Sequence, residues 1–145
     1  KKIVPIIKDL IKNKIPVMGH LGILPQTDKK FTFKGKRFSE RHKILKDAEM
    51  LEGAGIFSVV LECVETKLAK MISSKLKIPT IGIGSSNNCD GQVLVIDDLI
   101  GLNNSNFRFV KKYANINRVI KKAVKRYKFD VSKKLFPKVK HSFNN

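Results

Sequence analysis

Ile56-Phe57-Ser58-Val59-Val60-Leu61-Glu62-Cys63 is almost entirely apolar and β-branched up to a single carboxylate. A run of this kind, without polar alternation, is a strand buried on both faces, as in a parallel sheet. Its flanks support that reading. Upstream, Gly53 and Gly55 stop a helix whose inner face is Ile44, Leu45, Ala48 and Leu51, with Ser39 as its expected N-cap. Downstream, Leu68, Ala69, Ile72 and Leu76 fall at helical spacing before a second buried run, Pro79-Thr80-Ile81-Gly82-Ile83-Gly84. Further out, Ile3, Ile6, Ile7, Leu10 and Ile11 predict a helix, and Ile15-Pro16-Val17-Met18 a strand running into Gly19-His20-Leu21-Gly22. After the loop 85–91, Gln92 to Ile96 reads as a fourth strand, and Asn115 caps a last helix with the stripe Ile116, Val119, Ile120, Ala123, Val124 and Tyr127.

Strand-helix-strand repetition with short connections gives parallel strands and right-handed crossovers. Four such strands make either a small doubly wound sheet or half of an eight-stranded barrel. The opening Lys1-Lys2-Ile3, with neither Met nor a cap, suggests a fragment and favours the half-barrel, whose outer strands would otherwise be left as edges. No linker divides residues 1–145, so a single partial domain is expected.

Composition narrows the function classes. The 145 residues are 42% hydrophobic, no run reaches the roughly eighteen apolar residues of a membrane span, and no leader pattern is visible. Cys63 and Cys89 form no C-x-x-C pair and read as free thiols of a reducing compartment. The net charge of +18 points, taken alone, to nucleic acid. Yet 25 Lys stand against 5 Arg, with 16 Ile, 10 Asn and only 5 Ala, a pattern of AT-rich codons at solvated positions. A surface selected for phosphate or base contacts favours the Arg fork. A basic nucleic-acid-binding α/β module is therefore the alternative from another class, its cations Lys121, Lys122, Lys125 and Arg126 lying on the polar side of the last helix. An inactive remnant of an enzyme is a third.

In parallel α/β folds, reactive groups gather at the C-terminal ends of strands. There the sequence places His20, Glu62 and Gly82-x-Gly84, remote along the chain but expected on one rim. A carboxylate closing Val-Val-Leu loses hydration, which strengthens it as a base near neutral pH. An ordinary strand-end Glu paired with lysine is an equal reading of the spacing alone. His20 could orient a substrate oxygen, although a His between glycines is more often satisfied by backbone. Gly82 and Gly84 allow close approach of a ligand, or only a tight turn. Asp90-Gly91 reads as a turn pair, and Asp97-Asp98, on a strand, would point to opposite faces. His42 and His141 read as surface residues.

The blocks Pro16-Val17-Met18-Gly19-His20-Leu21-Gly22-Ile23-Leu24-Pro25-Gln26, Val60-Leu61-Glu62-Cys63-Val64, Ile78-Pro79-Thr80-Ile81-Gly82-Ile83-Gly84 and Asp90-Gly91-Gln92-Val93-Leu94-Val95 resemble ketopantoate hydroxymethyltransferases in order and spacing. Phe109-Val110-Lys111-Lys112-Tyr113-Ala114 and His141-Ser142-Phe143 extend the resemblance over essentially the whole chain. It implies the C-terminal half, strands five to eight, of a (β/α)8 TIM barrel of the phosphoenolpyruvate/pyruvate type. It also implies transfer of a hydroxymethyl group from 5,10-methylenetetrahydrofolate to 3-methyl-2-oxobutanoate, giving 2-dehydropantoate on the way to coenzyme A. The family's proton acceptor falls on Glu62 and its site-lining histidine on His20. Magnesium is implied as cofactor, with its ligands in the half not represented here, so that this chain holds none. A cytoplasmic homo-oligomer, typically a decamer, with no nucleic acid or membrane partner, is implied too. The chain departs from the resembled pattern at Asp28-Lys29-Lys30-Phe31, at Ser85-Ser86 where Ala-Gly is common, at Asp97 where His is usual, and at Glu65 where proline is frequent.

Overall fold

The computed structural model describes residues 3–26 and 32–143; the loop departure at 28–31 lies outside them. Along the chain run α1 (Ile3–Lys12), β1 (Met18–Gly22), α2 (Phe38–Gly53), β2 (Ser58–Glu62), α3 (Thr66–Lys75), β3 (Thr80–Ile83), β4 (Gly91–Gln92), α4 (Ile96–Leu99) and α5 (Ile116–Ser132). The chain forms two compact units, residues 1–93 and 94–145.

The first unit is built on a parallel four-stranded sheet in the order β1-β2-β3-β4. Register pairs Gly22 with Glu62 and Glu62 with Ile83, so three strands end level. One face of the sheet is dry. Val59, Leu61 and Thr80 on it are fully buried, packed with Ile44, Ala48 and Leu51 of α2 and Leu68, Ala69 and Ile72 of α3. Fully burying an aliphatic side chain of this size contributes about 2 kcal/mol, so this face holds the unit together. Gly19 lies on it opposite Val59, where a Cβ would sit 2.7 Å from Ile56 Cδ1. The opposite face carries Met18, His20, Val60, Glu62, Ile81 and Ile83 by strand alternation. Most of these remain partly or well exposed, whereas Glu62 is buried.

Three local expectations are corrected. Ser39 is not the cap of α2: Arg37 occupies that position in an extended conformation without a side-chain cap bond, and Glu40 in the first turn instead accepts from Gly35 N–H at 2.8 Å. Strand β1 begins at Met18 rather than Ile15, because the ladder to β2 starts at Met18–Ser58. His20 is therefore inside the strand. The fourth strand is only Gly91–Gln92, and Ile96 opens α4. Asp97 and Asp98 thus lie in the first turn of a short helix, where the exposed amide dipoles favour carboxylates, rather than on opposite faces of a strand.

Asp90 does more than make a turn with Gly91. Its Oδ2 accepts from both the backbone N–H and the hydroxyl of Thr80, each at 2.8 Å, and Thr80 Oγ1 lies 2.8 Å from Ser73 Oγ. These bonds staple β4 to the start of β3, at the end of the sheet away from Glu62. In the second unit, Asn115 caps α5 as expected, its side chain accepting from Arg118 N–H at 3.0 Å. Asp98 is buried and accepts from the Ser105 hydroxyl. No residue of α5 is buried, and its stripe of Val119, Ile120, Val124 and Tyr127 is open to solvent. Among the described residues, no helix is long and apolar enough to cross a membrane.

The bonds from Thr80 hold the Asp90 carboxyl below the usual carboxylate range. A depressed folded value means stability that is present above the ordinary carboxylate pKa and lost as pH falls through the folded one. Asp90→Asn is expected to cost about 1 kcal/mol at neutral pH. Thermal melts should show the gap between parent and variant closing in acid; a gap that widens there contradicts the assignment.

Candidate active site

Glu62 closes β2 as the last residue of an apolar run, and its direction follows from strand alternation. Ser58, Val60 and Glu62 point to one face, Val59 and Leu61 to the other. His20, two positions before the end of β1, shares the face of Glu62. Its Nε2 comes within 3.0 Å of Glu62 Oε2. Their side chains are 34% and 11% exposed, so the carboxylate is the deeper partner. The approach is one of proximity rather than an aligned hydrogen bond. Nε2 is itself shielded from solvent and has no hydrogen-bond partner. A buried, unpartnered nitrogen beside a buried carboxylate is unfavourable unless a further polar group enters. The pair therefore has the character of a site.

The backbone around Glu62 is held on every side. Its carbonyl accepts from Ile23 N–H at 2.9 Å, just beyond β1. Gly22 makes this possible. Its φ is +104°, and a Cβ there would lie 2.0 Å from the Glu62 carbonyl oxygen. Cys63 follows with φ +50°, a left-handed conformation that costs a β-carbon residue about 1–2 kcal/mol. Cys63 N–H donates to Ile83 O and its carbonyl accepts from Lys34 N–H, both at 2.8 Å. Ser85 supplies a side chain to the same turn: its hydroxyl donates to Leu61 O at 2.6 Å and accepts from Val64 N–H at 3.0 Å. Burial pushes the Cys63 thiol up, and the neighbouring Glu62 carboxylate pushes it further. That thiol is a poor nucleophile where it stands.

Beyond the turn, Glu65 caps α3. Its carboxylate accepts from Lys67 and Leu68 N–H at 3.1 and 2.9 Å and pairs with Arg41 at 2.7 Å. Burial alone would raise this carboxyl, but the two backbone donors and the Arg41 guanidinium outweigh it and hold it below the usual range. Where the resembled pattern has proline, this chain thus starts the helix with a capping acid, another accepted solution to the same problem.

Of the residues singled out in the sequence, the fold joins His20 and Glu62. Gly84, with φ +62°, lies just past the end of β3. Gly82 belongs to the other face, where a Cβ would meet the Gln92 amide at 2.8 Å and Cys89 Sγ at 3.1 Å. Its bareness makes room for packing behind the site. His42 and His141 are exposed. Among the described residues, no group of three or more His, Cys, Asp or Glu is arranged to hold a metal ion. In the second unit, Arg118, Lys121, Lys122 and Lys125 line an open cavity with Asn104, Asn115 and Asn117. The residue that sequence reasoning missed is Ser85. It stood out only as a departure from a resembled pattern, and no spacing rule links it to a turn more than twenty positions earlier.

A family model described as ketopantoate hydroxymethyltransferase matches residues 1–139. A 3-methyl-2-oxobutanoate hydroxymethyltransferase of Pelagibacter ubique (strain HTCC1062) is 60% identical over 143 residues, covering 99% of this chain and 56% of that protein. The enzymes of the same name from Pyrobaculum neutrophilum and Clostridioides difficile (strain 630) are 46% and 43% identical, covering 94% and 95% of this chain and 54% and 52% of their own lengths. The chain spans about half the length of the curated relatives it matches.

Gly22→Ala is expected to destabilise the protein by at least about 1–2 kcal/mol, because it combines a left-handed backbone with contact on the Glu62 carbonyl. A melting temperature equal to the parent's would show that the close approach is not a constraint.

Proposed function

Because the chain belongs to the ketopantoate hydroxymethyltransferase family, we propose that Glu62 is the base that removes the C3 proton of 3-methyl-2-oxobutanoate. In this reading the enolate then attacks the one-carbon unit carried by 5,10-methylenetetrahydrofolate, forming the new carbon–carbon bond of 2-dehydropantoate. The observation that carries it is the burial of the Glu62 carboxylate at the C-terminal end of a parallel strand, 3.0 Å from His20 Nε2. A base that takes a proton from carbon beside a ketone gains from a dry setting, since water solvates the carboxylate and blunts it.

His20 has the matching role. Its Nε2 has no aligned hydrogen-bond partner, so in its N–H form it can donate to a substrate carbonyl or carboxylate oxygen arriving beside Glu62. Gly84, with φ +62°, follows Ile83, the register partner of Glu62, at the tip of β3, and Gly82 on the other face admits Gln92 and Cys89.

Magnesium, which the family reading brings with it, does not fit the described residues, since they offer no ligand cluster. We therefore place its ligands outside residues 1–145. On the same reading, residues 1–145 form one partial domain, the second half of the barrel. It works as a homo-oligomer in the cytoplasm, on a small keto acid and a folate.

Glu62→Gln in the full-length enzyme is expected to lower hydroxymethyl transfer by a factor on the order of 10² to 10⁴ while leaving keto-acid binding near that of the parent. Wild-type turnover in that variant would remove the assignment. Residues 1–145 alone are expected to show no transfer, because the metal-binding half is absent. A cooperative melt together with measurable product from that chain would count against the half-barrel reading.

A further inference from the structure

We infer that Ser85 is a positioning residue for Glu62, holding the turn that aims the carboxylate; this rests on the reading of Glu62 as the base. A strand-end side chain is aimed by the backbone on either side of it. On the near side, Leu61 O receives the Ser85 hydroxyl proton at 2.6 Å. On the far side, Val64 N–H donates to the same oxygen at 3.0 Å. One hydroxyl therefore spans the segment that contains Glu62 and the left-handed Cys63, using its donor and an acceptor lone pair at once.

The other restraints on this segment come from backbone: Ile23 N–H on the Glu62 carbonyl, Ile83 O on Cys63 N–H and Lys34 N–H on the Cys63 carbonyl. These fix the segment between its neighbours. The Ser85 bridge ties its two ends to one point, which resists the rotation that would let Cys63 leave its left-handed conformation. Ser85 is itself anchored, its carbonyl accepting from the Thr66 hydroxyl at 3.3 Å at the start of α3. Next to it the buried Ser86 receives Asn88 N–H on its hydroxyl at 3.2 Å, and its carbonyl accepts from the Gln92 side chain at 2.8 Å. The hydroxyl is thus presented by a firmly built loop.

Ser85 does not touch the reacting atoms, so its loss should appear in proton removal and not in substrate affinity. The test follows deuterium entering C3 of 3-methyl-2-oxobutanoate from D2O, by NMR, in the full-length enzyme. The C3–H bond breaks toward Glu62, and a deuteron from the exchanged carboxyl returns to carbon. Ser85→Ala installs the residue common in the resembled family but leaves this chain's Leu61 carbonyl and Val64 N–H without their shared hydroxyl; it is expected to slow this exchange and kcat together by roughly tenfold, as for a small misplacement of a catalytic group, with KM for the keto acid within about twofold. Ser85→Thr, which restores the hydroxyl, should recover most of the loss. Parental exchange in Ser85→Ala overturns the inference. So does a loss that raises KM and lowers the melting temperature in step, or one that Ser85→Thr does not repair, because either marks a merely structural residue. Glu62→Gln run alongside separates the two readings. If it still exchanges C3, the base assignment fails; if it does not and Ser85→Ala exchanges normally, only the positioning role falls.

Discussion

A carboxylate kept almost out of water at the end of an apolar strand is the constraint around which the first unit is arranged. Glu62 retains only 8% of its exposure, and a buried charge is tolerated only where nearby polar groups compensate it. What lies within reach is the imidazole of His20, itself lacking an aligned partner. The surrounding backbone is then pinned from four directions: by β1 through Gly22 and Ile23, by the end of β3 through Ile83, by Lys34 on the Cys63 carbonyl, and by Ser85. The dry face behind the sheet supplies the stability that lets this turn keep a left-handed Cys63.

The two ends of the sheet divide the work. At the N-terminal end, Asp90, Thr80 and Ser73 form a polar cluster that fastens β4 to β3. At the C-terminal end, glycines and strained backbone surround a carboxylate and an imidazole. That separation is the one expected of parallel α/β architecture, where stability residues collect at the strand starts and chemistry at the strand tips. The departures from the resembled family pattern follow the same division. Glu65 starts α3 and Ser85 braces the turn, so both act on the geometry around the site and neither replaces a reacting group.

The architecture was legible in the sequence because it rests on local patterns. Apolar runs without alternation mark parallel strands whatever lies far away. The α1, α3 and α5 stripes, the Asn115 cap and the Gly53–Gly55 stop depend on neighbours within a turn or two. The errors fall where short-range signals compete. Gln92 to Ile96 is apolar and β-branched and so reads as a strand, but two acids directly after Ile96 suit a helix start, and the ladder to β3 ends at Gln92. Ser39 has the chemistry of a cap, yet Gly35 is near enough to use Glu40 instead.

By itself, then, the sequence determined the order of elements, the parallel sheet, the resemblance to one enzyme family and the placing of Glu62 at a strand tip. Tertiary structure alone decided that these two side chains come within 3.0 Å of each other, that Gly82 faces the packing side while Gly84 lies at the rim, and that Ser85 reaches back to Leu61 and Val64. The reason is physical. Periodicity records which face of its own element a residue occupies, whereas the meeting of two faces depends on register between strands. Register is set by the pairing of Gly22 with Glu62 and of Glu62 with Ile83, and no single stretch of sequence contains it.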